Sequence, residues 1–70
     1  MTEKSRASAS LAESIREARH QRGWSQETLA EQAGVSRPTI ARVEAGNDIS
    51  TATLAKVAEA LGLTLKVESV

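Results

Sequence analysis

The chain contains no cysteine, tyrosine or phenylalanine, and one residue each of proline and tryptophan. Without cysteine, neither a disulfide framework nor a thiolate metal site can form. His20 is the single histidine, which excludes a histidine metal cluster and gives no support to a Ser-His-Asp arrangement. With no nucleophile, base or ligand cluster in view, an enzyme is the weakest reading, and no cofactor or metal is expected. A charge of one sign is also missing. Nine basic residues balance nine acidic ones, where nucleic-acid binders usually carry a basic excess. No segment approaches the ~20 apolar residues that span a bilayer. The start, MTEKSRASAS, has charge but no apolar run behind it, so it does not read as a signal peptide. A reducing cytoplasm is the expected setting, with no membrane partner. Seventy residues allow one domain, with a core small enough that oligomerisation would supplement its stability.

What is present is helical punctuation. Ser10-Leu-Ala-Glu13 reads as a capping box opening a first helix, with Leu11, Ile15 and Ala18 on one face, that closes before Gly23. Three more helices are predicted at about 26–33, 37–45 and 51–61, and each of the four glycines falls just after a predicted helix. Pro38 lies in the first turn of the third helix, where its missing N–H does no harm. Residues 1–9 are small, polar and unperiodic and read as a disordered tail, leaving residues 10–62 as the folded domain. The predicted core is Ile15, Ala18, Trp24, Leu29, Ala30, Val35, Ile40, Val43, Leu54, Val57, Ala58 and Leu61. Trp24 is read as a plug between the first and second helices rather than as a ligand-stacking residue.

Within this frame, SQETLAEQAGVSRPTIARVEAG (25–46) is two short helices with a tight turn at Ala33-Gly34-Val35. This is the pattern of a helix-turn-helix, about 26–45, which places its second helix in the major groove of DNA. Ser25 and Ser36 can cap the two helices, and Gly34 supplies the positive φ between them. Charge placement suits this better than the net sum does. Arg37 and Arg42 are the only charges between Ser36 and Val43. A locally positive helix on a neutral protein implies modest non-specific affinity and more dependence on base contacts.

The last eight residues change period. Leu63, Leu65 and Val67 alternate with Thr64, Lys66 and Glu68, so residues 63–70 read as a strand. A lone strand cannot satisfy its backbone, so the expected partner is the same strand of a second copy, across a two-fold axis. The alternative is a frayed or helical tail.

GWSQETLAEQAGVSRPTIARVEAGN followed by STATLAKVAEALGL resembles the Cro/cI-type (XRE) helix-turn-helix family of phage repressors and bacterial regulators, over roughly residues 11–62. The resemblance implies an all-α, four-helix lambda-repressor-like DNA-binding domain. It implies a homodimeric transcriptional repressor on double-stranded, palindromic operator DNA, in the bacterial cytoplasm at the nucleoid. The terminal LTLKVES looks like the HipB-type antitoxins, whose strand pairs between subunits. That narrower resemblance implies an antitoxin that autoregulates a type II toxin-antitoxin operon and binds a protein-kinase-like toxin. An orphan or phage-type regulator without a toxin, or a module acting mainly by neutralising a toxin, are the alternatives.

Carried onto this chain, the family's contacts fall on Gln26 as a phosphate donor at a helix start, and on Ser36 as cap and phosphate contact. Arg37 and Arg42 are the expected guanine readers, and Thr39 can offer hydroxyl or methyl to a base. Asn47, in the loop that follows, is a phosphate candidate. Many relatives carry a polar residue where this chain has Pro38, which leaves apolar contact there. Arg19 and Glu44 match an ion pair of the phage repressors and are read as structural. His20 and Arg22 read as solvated, with Arg22 able to approach the DNA backbone.

Overall fold

A computed structural model describes residues 3–63, with side chains described from residue 11 onward. The expected strand therefore lies, from Thr64 on, outside the described residues. Four helices make up the fold: α1 (Glu3–Gln21), α2 (Gln26–Ala33), α3 (Arg37–Glu44) and α4 (Thr51–Ala60). α1 begins at Glu3, within the stretch expected as a tail at 1–9. Ser10 sits inside the helix, not at its cap. Residues 4–9 hold Lys, Arg and two alanines with no glycine or proline. Extending an existing helix through such residues costs far less than nucleating one. Ser-x-x-Glu is also simply an i, i+3 pair within a helix, so the spacing alone does not mark a start.

The other three helices begin alike. Ser25, Ser36 and Ser50 stand in extended backbone before α2, α3 and α4. Each Oγ accepts from the N–H three residues on, of Thr28, Thr39 and Thr53, at 3.1, 3.3 and 3.2 Å. Each threonine hydroxyl also bonds its serine, at 3.1, 2.8 and 2.9 Å. One donor of each helix start is thus satisfied, and the capping hydroxyl is itself fixed. Ser25 and Ser36 are caps expected from sequence, and Ser50 and the threonines add to them.

The ends are equally uniform. At α2, Gly34 N–H donates to Glu31 O at 3.3 Å and Val35 N–H donates to Ala30 O at 3.0 Å. The same pair of bonds closes the turns at Gly23, Gly46 and Gly62. Gly34 has φ +71°, and a Cβ there would meet nothing within 4 Å. Backbone conformation, not lack of space, selects glycine at this turn. It lets Gly34, Val35 and Ser36 alone join α2 to α3.

Every helix contributes to one core: Ala12 and Ile15, Leu29 and Ala30, Ile40 and Val43, then Val57, Ala58 and Leu61 are buried. Ala18, Trp24, Val35 and Leu54, expected inside, are only partly buried against it, as are Leu11, Ala33, Ile49 and Ala60. Ala12 lies off the face that Leu11, Ile15 and Ala18 predict. The observed face turns toward Ala12, Ile15 and Arg19, drawing a charge inside.

That charge is paired. Arg19 and Glu44 keep only 8% and 5% of their surfaces exposed. Arg19 Nε donates to Glu44 Oε2 at 2.6 Å and Nη2 donates to Oε1 at 3.0 Å, a two-point contact between α1 and the end of α3. Arg19 Nη1 donates to Trp24 O at 2.8 Å, and Arg16 Nη1 donates to Glu44 O at 3.0 Å. Burial alone would push the Glu44 carboxyl up. Hydrogen bonds from Arg19 and Gln26, with the charges of Arg19 and Arg16, outweigh it and hold the pKa below the ordinary carboxylate range. The hydrogen bond to Glu44 raises the Arg19 pKa against its desolvation, with the carboxylate's charge adding to it.

Because Glu44 binds its proton more weakly folded than unfolded, the unfolded chain takes up more protons on acidification. The pair's contribution is complete above the ordinary glutamate value of about 4.3 and drains away as pH falls through the lower folded value. Glu44→Leu strands the Arg19 charge and should cost about 3–5 kcal/mol. Arg19→Met with Glu44→Leu should recover much of that loss and remove this part of the acid sensitivity. Urea unfolding followed by far-UV circular dichroism at pH 7 and pH 3 checks both. A Glu44→Leu chain with the unaltered midpoint would show the pair to be dispensable.

Candidate nucleic-acid interface

The exposed surface of α3 is set by what its other side must bury. Ile40, Val43 and Glu44 turn inward, which leaves Arg37, Pro38, Ala41, Arg42 and Ala45 exposed. These positions, at i, i+1, i+4, i+5 and i+8, form one stripe of a helix. The stripe's only charges are Arg37 and Arg42, and the first turn of α3 holds no acidic residue. Neither arginine has a salt-bridge partner among the described residues. Five residues along a helix correspond to about 7.5 Å, roughly two base-pair steps. Pro38 and Ala41 between them keep the stripe low, so that two long guanidinium side chains project past a small apolar floor. Such a surface can enter a groove, offer bidentate donors to base edges and meet thymine methyls.

The other expected contact residues differ in how far they are free. Ser36 is exposed at the start of α3, but its Oγ accepts from Thr39 N–H and bonds the Thr39 hydroxyl. Thr39 is half-buried. Its hydroxyl serves the cap, and its methyl is what remains for an apolar contact. Gln26 is half-buried at the start of α2, and Nε2 donates to Glu44 Oε1 at 3.2 Å. A carboxamide has two N–H donors and a carbonyl, so one donor is left for a phosphate while the other ties α2 to the end of α3. Asn47 is exposed in the turn after α3, with its N–H donating to Arg42 O at 3.1 Å. Ser36, Arg37, Thr39 and Arg42 thus share α3 and its cap, Asn47 follows at its far end, and Gln26 reaches the group through Glu44.

Two arginines were missed. Arg16 supports the end of α3 through the Glu44 carbonyl. Arg22 is not simply solvated: Nη2 donates to Leu61 O, and its guanidinium carbon lies 5.3 Å from the centre of the Trp24 ring. Among the described residues no group of three or more His, Cys, Asp or Glu could hold a metal ion. No helix of the described residues is long and apolar enough to cross a membrane.

A family profile described as helix-turn-helix matches residues 15–67. The chain is 44% identical over 55 residues to the HTH-type transcriptional regulator PrtR of Pseudomonas aeruginosa. That match takes in 79% of this chain and 22% of the relative, so the chain spans about a fifth of the length of the regulator it resembles. The capped α2–α3 unit, its three-residue turn and these matches agree, and the chain belongs to the Cro/cI-type (XRE) helix-turn-helix family.

Proposed function

We propose that this chain is a sequence-specific DNA-binding transcriptional repressor, non-enzymatic, acting on operator DNA at the bacterial nucleoid. The observation that carries the reading is the exposed stripe of α3, whose only charges are Arg37 and Arg42, on a helix whose opposite face is buried and ion-paired. In this reading Arg37 and Arg42 read base edges, Thr39 adds an apolar contact, and Gln26, Ser36 and Asn47 position the helix through phosphates. DNA enriched by the chain from a random pool supplies the ligand for the test. Arg37→Ala should lose about 1–3 kcal/mol on the enriched sequence and much less on random duplex. Equal losses on both would remove Arg37 from base readout.

The active form in this proposal is a homodimer on a palindromic operator, with recognition helices about 34 Å apart. The alternation of Leu63, Leu65 and Val67 supports pairing through residues 63–70. Deleting 63–70 should shift the chain toward monomer in sedimentation velocity. An unchanged dimer would place the interface on the helices.

A second reading, that of an antitoxin repressing its own operon, is favoured by the zero net charge and the LTLKVES end. Its partner would be a protein-kinase-like toxin. Under mild extraction from the native host, the tagged chain should carry such a protein with it. Recovery of the chain with DNA and no partner would favour the orphan regulator.

A further inference from the structure

Arg22 makes two contacts that DNA binding does not use. It lies just beyond α1, and its Nη2 donates to the carbonyl of Leu61, 39 residues away, at 2.5 Å. The same guanidinium stands over Trp24, whose own carbonyl accepts from Arg19, and Arg19 grips Glu44 at the end of α3. A continuous set of contacts, Glu44–Arg19–Trp24–Arg22–Leu61, therefore links the end of α3 to the end of α4.

The far end of this set is where the chain leaves the domain. Leu61 is buried, Gly62 has φ +70°, and Leu63 N–H turns back to donate to Ala58 O at 2.8 Å. A Cβ on Gly62 would stand 3.1 Å from Arg22 Nη2. The guanidinium thus closes over the turn that sets the direction of the chain at Leu63. An exposed arginine bonded to one carbonyl contributes little to stability. Its geometric effect is larger, because it fixes one helix end against another.

We infer that Arg22 is a positioning residue that holds the chain's exit from α4 in fixed register with α3, so that two copies joined through 63–70 present their α3 helices at one defined spacing. The inference rests on the dimer reading above. Half-site separation is read as a geometric property of such dimers. A residue that sets it acts on the paired site and leaves the single half-site alone.

The test uses the full chain and DNA carrying either one enriched half-site or two at stepped separations. The unaltered chain should prefer one separation by about tenfold or more over its neighbours two base pairs away. Arg22→Met keeps an unbranched apolar side chain but loses the donor and the charge. It should bind the single half-site within about twofold of the unaltered chain, while its preference among separations flattens to about threefold or less. Gly62→Ala, which strains the backbone and crowds the guanidinium, should flatten it likewise, and Arg22→Lys should restore part of it. An Arg22→Met chain with the full spacing preference overturns the inference and leaves the dimer intact. Equal losses on single and paired sites also overturn it, since that is what a merely structural role produces. An unaltered chain with no spacing preference overturns the dimer reading, and the inference with it.

Discussion

The two-point contact of Arg19 with Glu44 is the constraint on which the rest of the domain depends. Two buried charges are costly to desolvate, and the structure answers that cost group by group. Arg19 Nη1 donates to Trp24 O, and Gln26 adds a second donor to Glu44 Oε1. No buried side-chain nitrogen or oxygen among the described residues is left without a partner. The geometric consequence is larger than the energetic one. The pair lies at the end of α3, so α1 grips the recognition helix at one end while Ile40 and Val43 seat its middle in the core. An apolar replacement could stabilise as much. It would not fix the direction of α3 as tightly, because a guanidinium and a carboxylate meet in one plane and at two points.

A chain with no net charge can bind a polyanion only if its charges are sorted. Glu13 and Glu17 are exposed on α1 and Glu27 and Glu31 on α2, while α3 exposes only Arg37 and Arg42. Glu44, the one acidic residue of α3, is turned inward and neutralised by Arg19. The ion pair therefore removes a negative charge from the helix best placed to meet DNA. A protein with this distribution has little general attraction for phosphate to draw on. In the proposed reading, its discrimination comes from the few side chains on the stripe.

Helix ends were legible because their signals are local. Gly34 and Gly62 follow their helices, and Ser25 and Ser36 precede theirs, for reasons contained within a few residues of backbone. The exposed stripe of α3 was legible for a similar reason, since periodicity separates Ile40 and Val43 from Arg37 and Arg42. Ser10 misled because a capping box and a mid-helix i, i+3 pair have the same spacing. Arg19 and Glu44 are 25 residues apart, and only the family resemblance pointed to them as partners. Arg22 was beyond reach altogether. Its acceptor is a backbone carbonyl, which every residue carries, so no residue type in the sequence marks Leu61 as the target. Gln26 and Thr39 fall between. Their place at helix starts could be read, but not that Glu44 and Ser36 would engage part of their hydrogen-bonding capacity.

The shortness of α3 ties these observations together. Eight residues are about two turns, well below the length at which a helix persists alone in water. Its conformation is therefore borrowed from its surroundings: Ser36 with Thr39 at one end, the Arg19 and Arg16 contacts at the other, and the core beneath. A recognition surface built this way has little freedom of its own to lose on binding, because side chains outside the stripe have already ordered its backbone. The division of labour within the helix follows from the same fact. Thr39 and Glu44 serve the fold first, which leaves Arg37 and Arg42, with no salt-bridge partner among the described residues, as the side chains free to answer to a DNA sequence. In the proposed reading, changes at Arg37 and Arg42 would alter which sequence is read without disturbing the scaffold, whereas changes at Thr39 or Glu44 would alter the helix itself.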